Sequence, residues 1–156
     1  MKLLLVTITL AITLLGTSAS AFDPQDLQRL SETNECIGCN LSSAELNTAT
    51  LIGANLSGAD LTEANLIGAN LTNANLAGAD LSAADLSVAK LNNASMTTVN
   101  LTAAKLTSAS LLGAILIDAN LTGADLTGAR LTYARMNGAI LCNTIMPDGR
   151  VLYTGC

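Results

Sequence analysis

From Leu41 to Leu141 the chain repeats one apolar and polar pattern with a period of five: every fifth residue is leucine, except Met96 and Met136. The residue two places before each of the following leucines is alanine from Ala44 to Ala139, with Val99 the one exception. Self-similarity this regular marks a repeat architecture, not an irregular globule. An α-helix cannot use the period. At about 100° per residue, positions five apart fall about 140° out of phase, and the leucines would scatter around the axis. A straight strand fails as well, because five is odd and successive leucines would face opposite sides.

Local alternation followed by a bend resolves the conflict. Alanine and leucine two apart point the same way in an extended segment, and the residue between them, usually Asn or Asp, points outward. Ser or Thr and then Gly often follow, as in Ser57-Gly58 and Thr127-Gly128, and such pairs suit a tight turn with positive φ. Each pentad is thus one short side and one corner. Repetition coils the chain into an all-β solenoid with Leu and Ala inside and polar residues outside. Small alanine beside large leucine fills a narrow tube without aromatic rings, which accounts for a chain that is 50% hydrophobic but 2% aromatic.

The unit seen in Ala59-Asp60-Leu61 and Ala124-Asp125-Leu126-Thr127-Gly128 resembles that of the pentapeptide-repeat family, in the form of a small exported cyanobacterial-type member, over residues 40–142. The resemblance implies a right-handed quadrilateral β-helix with four pentads per coil; the period alone does not choose four sides over three. On that pattern the repeats make about five coils, which at ~4.8 Å each stand ~24 Å tall. Residues one coil apart then stack, so Leu41, Leu61, Leu81, Leu101 and Leu121 form one inward ladder.

The ends carry different signals. Lys2, an apolar run from Leu3 to Leu15, and the small residues Ala19-Ser20-Ala21 have the layout of a secretory signal, placing residues 1–21 in a cleaved leader. The run is shorter than the ~20 residues of a spanning helix and is broken by Thr7, Thr9 and Thr13, so stable membrane insertion is not expected after cleavage. In residues 22–39, Asp23 suits an N-cap, Pro24 the first helical position, and Leu27 and Leu30 a short apolar face, which predicts a short N-terminal capping α-helix. Residues 143–156 form a C-terminal cap, with a Pro147-Asp148-Gly149 turn and a segment from Arg150 to Tyr153 folding back over the last coil. An exposed coil end is a template for stacking, so the expected state is a monomer or a weak end-to-end assembly.

Four cysteines flank the repeats. The tower holds Cys36 and Cys39 ~24 Å from Cys142 and Cys156, too far for one zinc site. Cys36-x-x-Cys39 has redox spacing but no βαβ context. In an exported chain two local disulfides, Cys36 with Cys39 and Cys142 with Cys156, are the expected use. The end segments also resemble those of small exported family members, which points to the periplasm or thylakoid lumen.

Composition narrows the chemistry. There is no histidine, which removes the commonest general base and metal ligand. The formal net charge is −5, and an acidic chain is repelled by nucleic acid and anionic membranes. No catalytic residue, cofactor or metal ligand is assigned. Asp60, Asp80 and Asp85 come close enough to be weighed as a calcium site, but a convex surface does not supply 6 to 8 oxygens, and a solvated acidic patch is the preferred reading. Leu112, Ile115 and Ile117 break the polar rule at outward positions and are the candidate partner surface. Ser42, Thr62, Ser82, Thr102 and Thr122 form one hydroxyl rank, read as outer-strand polarity and not as an ice-binding array.

Three functions follow for comparison. A non-enzymatic scaffold for an unknown protein partner needs only a rigid, ligand-free rod and is preferred. Some members of the resembled family are acidic mimics of duplex DNA that bind topoisomerase; a leader and mixed-charge faces argue against that. A redox protein using Cys36 and Cys39 lacks a pocket in a filled tube.

Overall fold

The computed structural model describes residues 21–156, so the expected leader, apart from Ala21, lies outside the described residues. Parallel pairing of each outward residue with the one twenty positions on runs without a break from Glu35↔Asn55 to Asp125↔Ile145. Twenty residues are four pentads, so the coil has four sides. We number these sides by their central residues: the first contains Leu41 and Leu61, the second Leu46 and Leu66, the third Leu51 and Leu71, and the fourth Leu56 and Leu76.

Each side is tied to its neighbours by regular backbone bonds. Leu61 N–H donates to Asp80 C=O at 2.7 Å, Asp80 N–H to Ala59 C=O at 2.9 Å, and the corner Gly58 N–H to Ala77 C=O at 2.9 Å. The corner itself is a β-turn in which Ala59 N–H donates to Leu56 C=O at 3.1 Å. Its third residue has positive φ, as a type II turn requires. Glycine meets this freely at Gly58 (φ 64°), yet the same conformation is imposed on Thr98 (55°), Tyr133 (62°) and the β-branched Val88 (53°). The ladder on both neighbouring coils overrides the local preference of these residues.

The interior is filled by the inward pair of each pentad. Leu61, Leu66, Leu81, Leu86, Leu101, Met96 and Val99 are all fully buried, as is the alanine beside nearly every one. The ladder begins earlier than the leucine pattern indicates. Cys36 and Cys39 occupy the first-coil places of the Leu56 and Ala59 pair, with 0% and 2% exposure, so they belong to the coil and do not precede it. At the other end Thr144 takes an alanine place; it is fully buried, and its hydroxyl donates to Leu121 C=O at 2.6 Å.

The N-terminal end is crossed by helix α1, Pro24–Thr33. Asp23 caps it by accepting the Gln25 N–H at 2.8 Å, and Asn34 ends it in the left-handed region (φ 61°). The helix is fastened at both ends. Asp23 N–H donates to Asn40 C=O at 2.9 Å on the first side, while the Asn34 side-chain amide donates to Ile52 C=O at 2.9 Å on the third. Leu30, 3% exposed, plugs the core between them.

At the C-terminal end, strand β1, Leu141–Ile145, stays on the ladder, and β2, Val151–Thr154, returns antiparallel to it. The Met146–Arg150 turn is closed by Gly149 N–H to Met146 C=O at 2.9 Å, with Gly149 at φ 83°. β2 therefore folds back over the last coil as expected, but along the first and second sides only.

Candidate functional site

Both expected disulfides are formed. Cys36 and Cys39 have Cα atoms 5.2 Å apart, and Cys142 and Cys156 have theirs 4.8 Å apart. The first pair bridges a corner from inside the tower, where both residues are buried. Thiol–disulfide exchange needs an approaching thiolate, and this burial obstructs the approach. The second pair clips β2 to β1 and reaches the exposed Cys156.

The acidic columns are already engaged. Asp60 and Asp80 pair across one coil step, and each accepts the backbone N–H two residues on, from Thr62 at 3.0 Å and Ser82 at 2.9 Å. Partial burial raises the Asp80 pKa, but hydrogen bonds from Ser82 and Asn100 outweigh it and hold the carboxyl below the usual range. Asp85 is lowered in the same balance, with burial opposed by Ser87 and by Lys105, whose ammonium stands 3.7 Å away. Asp125 is lowered chiefly by its bonds from Thr127. These carboxylates buttress turns. The hydroxyl rank is tied down similarly, with Thr102 donating to Asn100 and Thr122 to Asn120, both at 2.7 Å.

Leu112 lies on the third side and Ile115 and Ile117 on the fourth, one corner away, and all three are half-buried. The more exposed apolar groups stand elsewhere: Tyr133 is 87% exposed at the last corner between third and fourth sides, and Ile37 63% at the opposite end. The turn pattern does not single out Tyr133, because its place is a corner position like any other. Its place in the five-residue phase, where Gly53 and Gly113 also fall, was the available signal.

A family model described as pentapeptide repeats, in 8 copies, matches residues 35–66, 59–97, 79–117, 94–132 and 116–146. The chain belongs to the pentapeptide repeat family. Its fold is the family's right-handed quadrilateral β-helix. Among solved structures, the pentapeptide repeat protein Rfr23 from the cyanobacterium Cyanothece 51142 is 32% identical, with a TM-score of 0.72 over 74% of this chain and 92% of its own. HetL, a pentapeptide repeat protein involved in heterocyst differentiation regulation in Nostoc sp. strain PCC 7120, is 34% identical, with a TM-score of 0.56 over 76% of this chain and 64% of its own. A pentapeptide repeat protein from the Arabidopsis thaliana thylakoid lumen is 38% identical over 60% of this chain and 66% of its own, with a TM-score of 0.38. No curated protein sequence matches this pentapeptide repeat protein.

Proposed function

We propose that this pentapeptide repeat protein is a non-enzymatic, exported scaffold: a rod of about five coils that presents fixed outer faces to a protein partner in the periplasm or thylakoid lumen. The observation that carries the reading is the filled interior. From Leu51 to Ala129 its inward positions hold only Leu, Met, Ala and Val at or near full burial, so over these coils polar chemistry is confined to convex outer faces, where carboxylates and hydroxyls already serve the turns. A convex, self-satisfied surface is suited to recognition and poorly suited to enclosing a substrate. Export is supported by the leader pattern of residues 1–21 and by two disulfides, which persist in oxidising compartments.

The test is photocrosslinking in cells, with a crosslinker placed in turn at Thr102 on the first side and at Leu112 and Ile117 on the third and fourth. The reading predicts a discrete adduct from at least one position, lost when the fold is broken by Leu86→Asp. No adduct from any outer position would contradict it.

A further inference from the structure

The two ends of the tower are covered unequally. Under α1 the first-coil Leu46 and Leu51 retain 7% and 5% exposure. At the opposite end, on the third and fourth sides that β2 does not reach, Leu131, Ala134, Met136 and Ala139 are only half-buried. The backbone is open there too. One coil below, Leu111 N–H donates upward to Arg130 C=O at 2.8 Å and Gly113 N–H to Thr132 C=O at 2.9 Å. The equivalent N–H groups of Leu131, Tyr133, Met136 and Gly138, and the Ala129 and Ala134 carbonyls, have no hydrogen-bond partner among the described residues. An unpaired edge of this kind is a template for strand addition.

The charge around the edge specifies the guest. Arg130 and Arg135 are exposed, stand immediately before the open residues Leu131 and Met136, and form no ion pair among the described residues. From Thr50 onward, the outward positions beside the central residues of these two sides include Lys90, Arg130 and Arg135 and no carboxylate, while one acid, Asp118, stands at the corner beneath Gly138. Ile115 pairs directly beneath Arg135, with Leu112 and Ile117 on the same coil, so the half-buried aliphatics continue the apolar edge downward. A second copy does not fit this edge. Its N-terminal end is crossed by α1, which stands where the next strand would lie, and apposing two C-terminal ends would bring both copies of Arg130 and Arg135 together.

We propose that the open C-terminal edge of the third and fourth sides is a docking site for an extended acidic segment of a protein partner, added as a further strand. The added backbone would accept from Leu131 and Met136 N–H and donate to the Ala129 and Ala134 carbonyls. Its acidic side chains would meet Arg130 and Arg135, and its apolar ones would cover Leu131 and Met136. The proposal rests on the scaffold reading and names where that scaffold is engaged.

The experiment uses the protein with both disulfides formed and three acetylated fluorescent peptides that keep the five-residue phase of the coil: Asp-Val-Thr-Gly-Val-Asp-Val-Thr, its lysine counterpart Lys-Val-Thr-Gly-Val-Lys-Val-Thr, and the acidic peptide N-methylated at both aspartates. The acidic peptide should bind about tenfold more tightly than the basic one, and R130E/R135E should reverse that order. The N-methylated peptide, whose acidic residues cannot donate to the Ala129 and Ala134 carbonyls, should not bind. Saturating acidic peptide should slow amide exchange at Leu131, Tyr133, Met136 and Gly138 by about tenfold. Equal binding of both charges, or unchanged exchange at these four amides, overturns the proposal, and the exchange result does so without any mutant. Should crosslinkers at Thr102 capture a partner while the edge takes no peptide, the edge assignment falls and the scaffold reading stands.

Discussion

Truncating Leu86 to alanine tests the inward ladder at its most enclosed point. Leu86 sits on the second side with Leu66 in the coil below and Leu106 in the coil above, all three fully buried. The change withdraws about 2.5 kcal/mol of apolar transfer. It also leaves a cavity whose walls are held apart, since Leu86 N–H is bound to Lys105 C=O at 2.7 Å, Asp85 N–H to Ala64 C=O at 3.0 Å and Ala89 N–H to Leu86 C=O at 3.0 Å. A ladder fixed from above and below relaxes little, so the loss should fall in the upper part of the usual range, at about 4 kcal/mol. Urea unfolding followed by circular dichroism, with disulfides intact, reads this directly. Because repeat arrays unfold in neighbour-coupled units, a second transition is resolved by amide exchange of the flanking coils. Thr102→Lys, on the outer surface, serves as control and should move stability by less than about 0.5 kcal/mol. A Leu86→Ala loss under about 1 kcal/mol, or an equal loss at Thr102, would refute the assignment of inside and outside.

Val88 is β-branched at φ 53°, so Val88→Gly should raise stability by about 1 kcal/mol in the same unfolding assay, and a loss would show that its side chain contributes more than its backbone costs. Replacing Cys142 and Cys156 by serine together opens a loop of sequence separation 14 and should cost about 3 kcal/mol, concentrated in amide exchange of β2. Uniform loss of protection along the tower would contradict a local clip. The depressed carboxyls of Asp80, Asp85 and Asp125 bind fewer protons folded than unfolded, so stability rises with pH through their titration. It should be level at neutral pH and fall as pH drops through and below the ordinary value of 3.8. Asp80→Asn should shrink that acid-side fall in urea titrations run across the range, and an unchanged fall would remove Asp80 from the account.

The coil was legible because its period admits neither helix nor straight strand, and Leu61, Leu81 and Leu101 occupy the inward places that argument gave them. The number of sides was not in the period; it came from the family resemblance and is visible in pairs such as Asp60↔Asp80. Cys36 and Cys39 are in phase with Leu56 and Ala59, so the earlier start of the ladder is readable from spacing, although cysteines in place of leucine and alanine break the residue pattern that marks it. The left-handed corners at Val88 and Tyr133 were not readable from propensity, since tertiary pairing overrides it there. Nor was the open edge at Leu131 and Met136, because its existence depends on how far β2 reaches. Leu112, Ile115 and Ile117 were found by their break with the polar rule, yet pleating leaves them half-buried and places them beneath that edge.

Intact-mass analysis with N-terminal sequencing of the protein from fractionated cells tests the exported scaffold most directly. The expected result is a non-cytoplasmic chain beginning at Phe22 with no free thiol. A cytoplasmic chain that retains Met1 to Ala21 and has four free thiols would contradict it.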